Sequence, residues 1–596
     1  MNRTGAGAVG MLVAMGATVA LAVCIDDRAA WIWLGPLSLF GLVGATLVAW
    51  AKTPLRQVLA LALALRLVAA TMPGLVLSDD LYRYLWDGRV AVAGHSPYAY
   101  RPNDPALASL RDTVVFPRLN SKSYYTVYPP VSQAVFRMAG AAEQALGTAW
   151  GLRALRGAGW LLEGLSLLLL ARLARDRPYL MSVFALYALH PLAVVESGQG
   201  HTELYALPML AAAVLLRSQQ RDGWAGMGIG LAGGVKLVPF ILVPVFFRQR
   251  WKGWFAAASM GAVAVAVIGA NATHLMDSLR LYTSYFEFNA PLYRLLKQGL
   301  GMLLGGDTGP LAARVLLLTF GMVALGALRR NSRTGAVWLA FLACSTTVHP
   351  WYLLPVLLLA VGEADGRTAR ATAWLAACAF GTYTHYTTGS DGLWTWGGWL
   401  GAAALVMPWP CLLEGVLRRR ARQKAFLVTP LLPINSTILD LGAGEGYVGE
   451  QLGRNGHRVT LADVADFNRS SLPFVRVTDG KPLPFGDSEF DAAVLVFVLH
   501  HARDPEALLR EARRVARRVI VLESVYETES DRRLLDTLDR AANRLRSPTM
   551  REQEAHLHFR TAEAWSELAR SLGAKVTMRR LGRWPHKQAL LVLERA

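Results

Sequence analysis

Ile438-Leu439-Asp440-Leu441-Gly442-Ala443-Gly444-Glu445-Gly446 is an apolar strand running straight into a turn that holds three glycines. A chain that closes on an adenosine-bearing cofactor at the end of a strand needs glycine there, because the backbone turns sharply and approaches the ligand where a side chain would intrude. Asp463 closes the next apolar run, where an acidic side chain can accept both hydrogens of a ribose diol. The surrounding pattern predicts strand 437–441, helix 446–455, strands 457–463, 474–477 and 491–497, helix 505–516 and strand 518–523. Strands alternating with helices imply a mainly parallel sheet with its ligand at the strands' C-terminal ends.

Everything before this unit has a different character. The chain has 596 residues and is 53% hydrophobic, too apolar for a string of soluble domains. From Val9 to Leu417 the apolar residues come in blocks long enough to cross about 30 Å of hydrocarbon. Run length predicts spans near 8–25, 29–50, 57–77, 157–173, 179–195, 202–216, 252–272, 309–327, 334–346, 350–362, 367–384 and 393–415. The first is read as an uncleaved helix, since more spans follow at once and Val23, not a small residue, precedes Cys24. The net charge of +19 comes largely from arginines at block ends, including Arg418-Arg419-Arg420-Ala421-Arg422. The positive-inside rule explains that placement, and no nucleic-acid partner is expected. Orientation closes if 224–247 enters and leaves from the cytoplasmic side and 132–148 lies along the outer interface. Cys24, Cys344, Cys378 and Cys411 have no paired spacing, so neither a disulfide framework nor a metal site is implied.

Polar and aromatic residues converge on the opposite, outer face. The first long loop begins Ser78-Asp79-Asp80-Leu81-Tyr82-Arg83-Tyr84-Leu85-Trp86-Asp87-Gly88-Arg89. Two carboxylates directly after a membrane helix are costly beside lipid unless they face a cavity or a partner. A carboxylate at the mouth of a membrane cavity can act as general base for an acceptor hydroxyl, with Arg83 and Tyr84 toward substrate; the alternative is that Asp79 and Asp80 only mark the helix exit and cap the following helix. His201 and Glu203 are either a capping pair or substrate contacts. Lys236, inside an apolar stretch, either snorkels or meets a phosphate. Trp351 and Tyr352 suit a sugar platform as well as an interfacial aromatic belt.

Over roughly 55–400 the sequence resembles the GT-C superfamily of membrane glycosyltransferases, in its polyprenol-phosphate-mannose-dependent mannosyltransferase branch. The resemblance rests on the Asp80–Arg89 run, Ser96-Pro97-Tyr98, Tyr128-Pro129-Pro130, His190-Pro191 with Glu196, Gly200-His201-Thr202-Glu203, Phe288-Asn289-Ala290-Pro291-Leu292-Tyr293 and His349-Pro350-Trp351-Tyr352. It implies a lipid-phosphate sugar donor, a carboxylate base in the first outer loop, here Asp80 with Asp79 assisting, and inversion at the anomeric carbon. Glu203 stands where such enzymes often carry aspartate.

Residues 437–596 resemble class I S-adenosylmethionine-dependent methyltransferases of type 11. The matching residues are Asp440 through Gly446, Leu461-Ala462-Asp463, Asp479 ahead of Leu483-Pro484-Phe485, Val498-Leu499-His500-His501 and Asp504-Pro505. The resemblance implies that Asp440, Gly442, Gly444 and Gly446 border the methionine moiety, Asp463 the ribose and Asp479 the adenine. His500 and His501, after the fourth strand, either orient or deprotonate a methyl acceptor or serve as turn residues. Glu523, His556, His558 and Phe559 are expected to line the acceptor pocket, with a zinc set as the other reading of the histidines. A dehydrogenase shares the glycine turn, but the Leu-Pro-Phe and His-His elements count against one.

The expected fold is therefore a polytopic α-helical membrane domain, GT-C-like, over 1–417, a basic linker over 418–436 and a Rossmann-like α/β methyltransferase domain over 437–596. The expected function is sugar transfer from a polyprenyl phosphate, mannose being the sugar the resemblance implies, joined to methylation with S-adenosylmethionine. Membrane lipid, the lipid-linked sugar and an unidentified glycan or lipid acceptor are the partners. The bacterial inner membrane is the location, with the C-terminal domain cytoplasmic. The rival is a membrane-anchored methyltransferase whose helical half is non-catalytic or a transporter; against transport, the Asp80 loop has no second copy.

Overall fold

The computed structural model describes residues 3–71, 78–175, 177, 180–330, 332–407, 409–546, 557–582 and 587–595. The chain divides into two compact units, Met1–Met407 and Pro408–Ala596.

The first unit is helical. Among the described residues, five helices are long and apolar enough to cross a membrane: Arg3–Ile25, Arg28–Ala51, Thr148–Arg175, Trp251–Thr283 and Gly309–Arg330. They cover five of the expected spans. Their outward faces are apolar, with Val265 61% and Leu318 70% exposed, a surface that hydrocarbon solvates and water does not. The other spans are shorter helices, and proline marks the break in some of them. Span 179–195 breaks at His190-Pro191 into Met181–Ala188 and Pro191–Ser197, and 350–362 begins with a 3-10 turn before Leu354–Gly362. Span 57–77 is helical over Leu55–Thr71, and its last residues lie outside the described set.

Segment 132–148, expected at the interface, is the helix Pro130–Leu146, packed on the helix Asp80–Val92 through a glycine pair. A Cβ on Gly88 would fall 1.9 Å from the Phe136 carbonyl oxygen, so this crossing needs glycine. Arg66 and Glu163 meet in a bidentate pair buried between helices. Arg66 also donates to the Ala188 carbonyl, and the Tyr187 hydroxyl donates to Glu163. Two opposed charges inside an apolar bundle are tolerated because every strong donor and acceptor is engaged.

The second unit is an α/β fold with a mixed sheet. Its strands are β1 (Thr437–Leu441), β2 (Arg458–Asp463), β3 (Phe474–Arg476), β4 (Phe490–Val496), β5 (Ala516–Ser524), β6 (Ala574–Leu581) and β7 (Gln588–Arg595). Their order is β3-β2-β1-β4-β5-β7-β6, with β1 to β5 parallel and β7 antiparallel to both neighbours. β1 lies between β2 and β4 and is buried from Ile438 to Leu441, which accounts for the apolar residues around Asp440. The segment 418–436, expected as a linker, is helical through Val428 as part of Trp409–Val428. Ala421, Ala425 and Val428, at helical spacing, are its buried face, so the arginine run belongs to a packed helix of this unit.

Candidate active sites

The helix Asp80–Val92 starts with Asp80, whose backbone N–H donates to Ser78 Oγ at 3.1 Å. Asn120 Nδ2 donates to Asp80 Oδ1 at 3.0 Å, which leaves Oδ2 for other work. Asp79 is exposed at the N-cap position and makes no side-chain cap hydrogen bond. Arg83 and Tyr84, expected to meet substrate, are buried among protein partners. Arg83 donates to Asp87 at 2.9 Å and to the Ser121 and Tyr124 carbonyls. The Tyr84 ring stacks on Phe136 with centroids 4.7 Å apart. Both are buried because this helix packs on nearly every face; Arg83 ties down the loop at Ser121 and Tyr124, and the Asp80 and Glu203 carboxylates act electrostatically on the Tyr84 hydroxyl.

Lys236, Glu203, His201, Trp351 and Tyr352 do come together. Lys236, just past the helix Asp222–Val235, forms an ion pair with Glu203 and lies 3.8 Å from the Tyr352 ring centroid, so it does not snorkel. Glu203 opens the helix Glu203–Ser218, whose N-cap makes no side-chain hydrogen bond; capping is not its role. His201 Nδ1 sits 2.6 Å from Glu196, and the ring stacks on Trp351 at 3.9 Å. His349 stacks on the same indole, on Phe288 and beside Tyr352. His201 Nε2 and His349 Nδ1 are buried without a hydrogen-bond partner. The Asp80 carboxylate acts electrostatically on Lys236, His201, His349 and Tyr352. The result is one cluster with a carboxylate, an ammonium and two imidazoles on an aromatic wall. Glu196 and His349 were not singled out as site residues from sequence, although His349 stands in the same tetrapeptide as Trp351.

In the second unit the glycine turn has the geometry its sequence demands. Gly442, Gly444 and Gly446 all have positive φ, and a Cβ on Gly442 would meet Val498 at 2.5 Å. Asp463, ending β2, accepts from the Gly444 N–H at 2.8 Å and the Val464 N–H at 2.7 Å. Burial raises the Asp463 carboxyl above its ordinary range, with those N–H groups opposing. Asp440 is pushed up to about 7 by burial, opposed by the Gly449 N–H, and its Oδ2 has no hydrogen-bond partner. Asp479 lies near Arg503, at 3.9 Å from the guanidinium.

Asp440, Gly442, Gly444, Asp463 and Asp479 line a cavity of about 1470 Å³ together with His500, His501, Asp539 and Phe559, while Gly446 shapes the turn without lining it. Ordinary ligand sites run to roughly 300–1,000 Å³, so there is room for a nucleoside cofactor and a second molecule. The donor set fits S-adenosylmethionine: open backbone at the glycines, a carboxylate at the end of β2, and an orphan carboxylate oxygen for a cation.

On the acceptor side, Glu523 is not a pocket wall. It is fully buried in β5 and accepts from the N–H groups of Val498 and Leu499 and from His500 Nδ1 at 2.7 Å. Burial pushes the His500 imidazole down, but Glu523 and Asp539 outweigh it and raise it to about 9. Asp539 is held well below the usual carboxylate range, the two imidazoles prevailing over burial. The His558 side chain is exposed; it is the backbone N–H that donates to the His500 carbonyl, at 2.7 Å. Phe559 stacks on His500 at 4.6 Å. His556 lies outside the described residues. Asp539, on the helix Glu529–Arg546, was missed because no local motif marks it.

Comparison with known proteins gives two family matches. The glycosyltransferase family 87 model matches residues 125–355, which include His201, Glu203, Lys236, His349, Trp351 and Tyr352 and begin after Asp80. A methyltransferase domain model matches residues 439–519. Demethylmenaquinone methyltransferase of Corynebacterium efficiens is 32% identical over 109 residues, 17% of this chain and 45% of that protein. The chain thus spans about half the length of this curated relative. Among solved structures, an S-adenosylmethionine-dependent methyltransferase from Aquifex aeolicus is 14% identical, with 31% of this chain and 97% of that one covered at a TM-score of 0.23. The 1,6-didemethyltoxoflavin-N1-methyltransferase of Burkholderia thailandensis is 18% identical, with 30% and 78% covered at a TM-score of 0.23. The protein is an enzyme that joins a glycosyltransferase family 87 domain in a helical membrane half to an S-adenosylmethionine-dependent methyltransferase domain.

Proposed function

We propose that the helical half transfers a sugar, mannose in the simplest case, from a polyprenyl phosphate to a glycan or lipid acceptor. Asp80 takes the proton of the acceptor hydroxyl as its oxygen bonds to the anomeric carbon. The bond from that carbon to the phosphate oxygen breaks on the opposite face, with inversion, and polyprenyl phosphate leaves. Lys236 and the unpartnered nitrogens of His201 and His349 supply cationic or N–H contacts to the phosphate. Trp351, stacked by both imidazoles, holds them in place, and half-buried Tyr352 offers its ring to the sugar. Asp79, exposed beside Asp80, assists at the mouth. The observation that carries this reading is the convergence of Asp80, Lys236, His201 and His349 on one aromatic-walled cluster.

The enzyme is placed in the bacterial inner membrane, its sugar-transfer site facing outward and its C-terminal unit in the cytoplasm, where S-adenosylmethionine is made. The distribution of arginine supports that orientation. Bound at the glycine turn, S-adenosylmethionine supplies an electrophilic methyl group. Gly442, Gly444, Asp463 and Asp479 hold it, while His500 and Phe559 face the acceptor.

Comparative lipidomics of a deletion strain complemented with wild type, Asp80→Asn or Asp463→Ala tests both halves. Loss of a general base costs roughly 10²- to 10⁴-fold in rate, enough to remove a glycolipid. The expected result is a glycolipid missing from the Asp80→Asn strain and a methyl group missing from the Asp463→Ala strain. Wild-type glycolipids in the Asp80→Asn strain would reduce the helical half to an anchor.

A further inference from the structure

We propose that His500, His501 and Asp539 form a binding site for one divalent transition-metal ion, with Glu523 as the carboxylate behind it, in the acceptor side of the methyltransferase cavity. The three side chains offer one ligand atom each, all within 4.8 Å of one another. Asp539 Oδ1 is 3.8 Å from His500 Nε2, and Asp539 Oδ2 is 3.6 Å from His501 Nε2. Those separations exceed an ordinary hydrogen bond of about 2.7–3.2 Å. They approach the spacing of roughly 3.3–3.5 Å that bonds of about 2.0–2.2 Å impose around a tetrahedral ion.

The surroundings are built for the same purpose. Glu523 faces His500 Nδ1 at 2.7 Å and is itself fixed by two backbone N–H groups. A metal-bound histidine ordinarily gives its other ring N–H to a carboxylate in this manner, which fixes the tautomer and turns Nε2 outward. Phe559 stacks on the imidazole at 4.6 Å, and the His558 N–H holds the His500 backbone through its carbonyl. Two imidazoles and one carboxylate select zinc, iron or manganese over magnesium or calcium, and three protein ligands leave coordination positions open toward the cavity. An ion there would take an acceptor oxygen and lower its pKa, so that a hydroxyl is held as its conjugate base, the proton passing to solvent. That assignment replaces the expectation of no metal. It also narrows the methyl acceptor to a molecule carrying a hydroxyl or enolic oxygen.

The role at the acceptor rests on reading this cavity as the methyltransferase site; binding of the ion does not. The test is equilibrium dialysis of untagged, chelator-treated full-length protein in detergent against Zn²⁺, with bound metal counted by mass spectrometry. One equivalent is expected, with affinity weakened at least tenfold in His501→Ala and Asp539→Asn and by about 10- to 100-fold in Glu523→Gln. Co²⁺ in place of zinc should give visible absorption bands that disappear in His501→Ala. Less than half an equivalent in wild type, or equal affinity in the variants, would overturn the site. S-adenosylmethionine binding, titrated on metal-free wild type, answers the other question: its failure would remove the cofactor reading while a bound ion stood.

Discussion

In the helical half, Arg66 and Glu163 meet deep between helices with every strong polar atom engaged. In the C-terminal unit, Asp440 is as deeply buried and keeps one carboxylate oxygen without a partner. Both placements are expensive, and the way each cost is met separates scaffold from site. A charge pair in an apolar bundle is held by mutual compensation and has nothing left to offer a ligand. A carboxyl facing a large cavity is held by being protonated part of the time, with Lys424 favouring its charged form, and its open oxygen can meet a cation from outside. The sugar-transfer cluster lies between these extremes. Lys236 is compensated by Glu203 and His201 by Glu196, while His201 Nε2 and His349 Nδ1 stay open.

The sharpest way to break this contrast is to remove one member of the compensated pair. Glu163→Leu leaves Arg66 charged among apolar helices, and about 3–5 kcal/mol of stability should be lost. Thermal inactivation of sugar transfer in detergent is the measurement. In the C-terminal unit, Glu450→Ala takes a carboxylate from Arg418, whose side chain is 34% exposed; about 0–1 kcal/mol should follow. Equal losses would show that the bundle does not depend on its internal ion pair.

A smaller effect is expected at Asp463. Asp463→Ala removes a buried carboxylate that holds two turn N–H groups and faces the ribose position, and S-adenosylmethionine affinity should fall roughly 10- to 100-fold. Isothermal titration decides it. An unchanged affinity would mean that the cofactor lies elsewhere in the cavity.

The same contrast explains what could be read in advance. Strands β1 to β5 begin and end within two residues of their predicted limits, because an apolar run between a turn and a helix is a local signal. The glycine turn and Asp463 were legible for the same reason, since backbone needs positive φ at fixed positions. The burial of Arg83 and Tyr84 was not legible. A helix buried on nearly all sides carries no stripe to say which face meets a cavity, and only the packing of Pro130–Leu146 turns these two inward. Asp539 and the place of β7 beside β5 depend on contacts distant in sequence. The spans failed where proline broke them, as at Pro191, because run length measures apolarity and not continuity.

The least of the expected effects is the most direct test of the open carboxyl. In water Asp440 would titrate near 3.9; folded, burial moves it to about 7. Between those values the folded unit holds a proton that the unfolded chain has released. The stability of the cofactor-free unit should therefore fall as pH rises through this window and level off above about 7. Cofactor affinity should run the opposite way. The cationic cofactor gains from the ionised carboxylate, whose population grows from about a tenth at pH 6 to about nine tenths at pH 8, so binding should tighten up to tenfold over that interval. Asp440→Asn should flatten both dependences, because the amide cannot ionise. A wild-type affinity independent of pH from 6 to 8 would mean that the orphan oxygen faces no cation and is buried only to brace the turn.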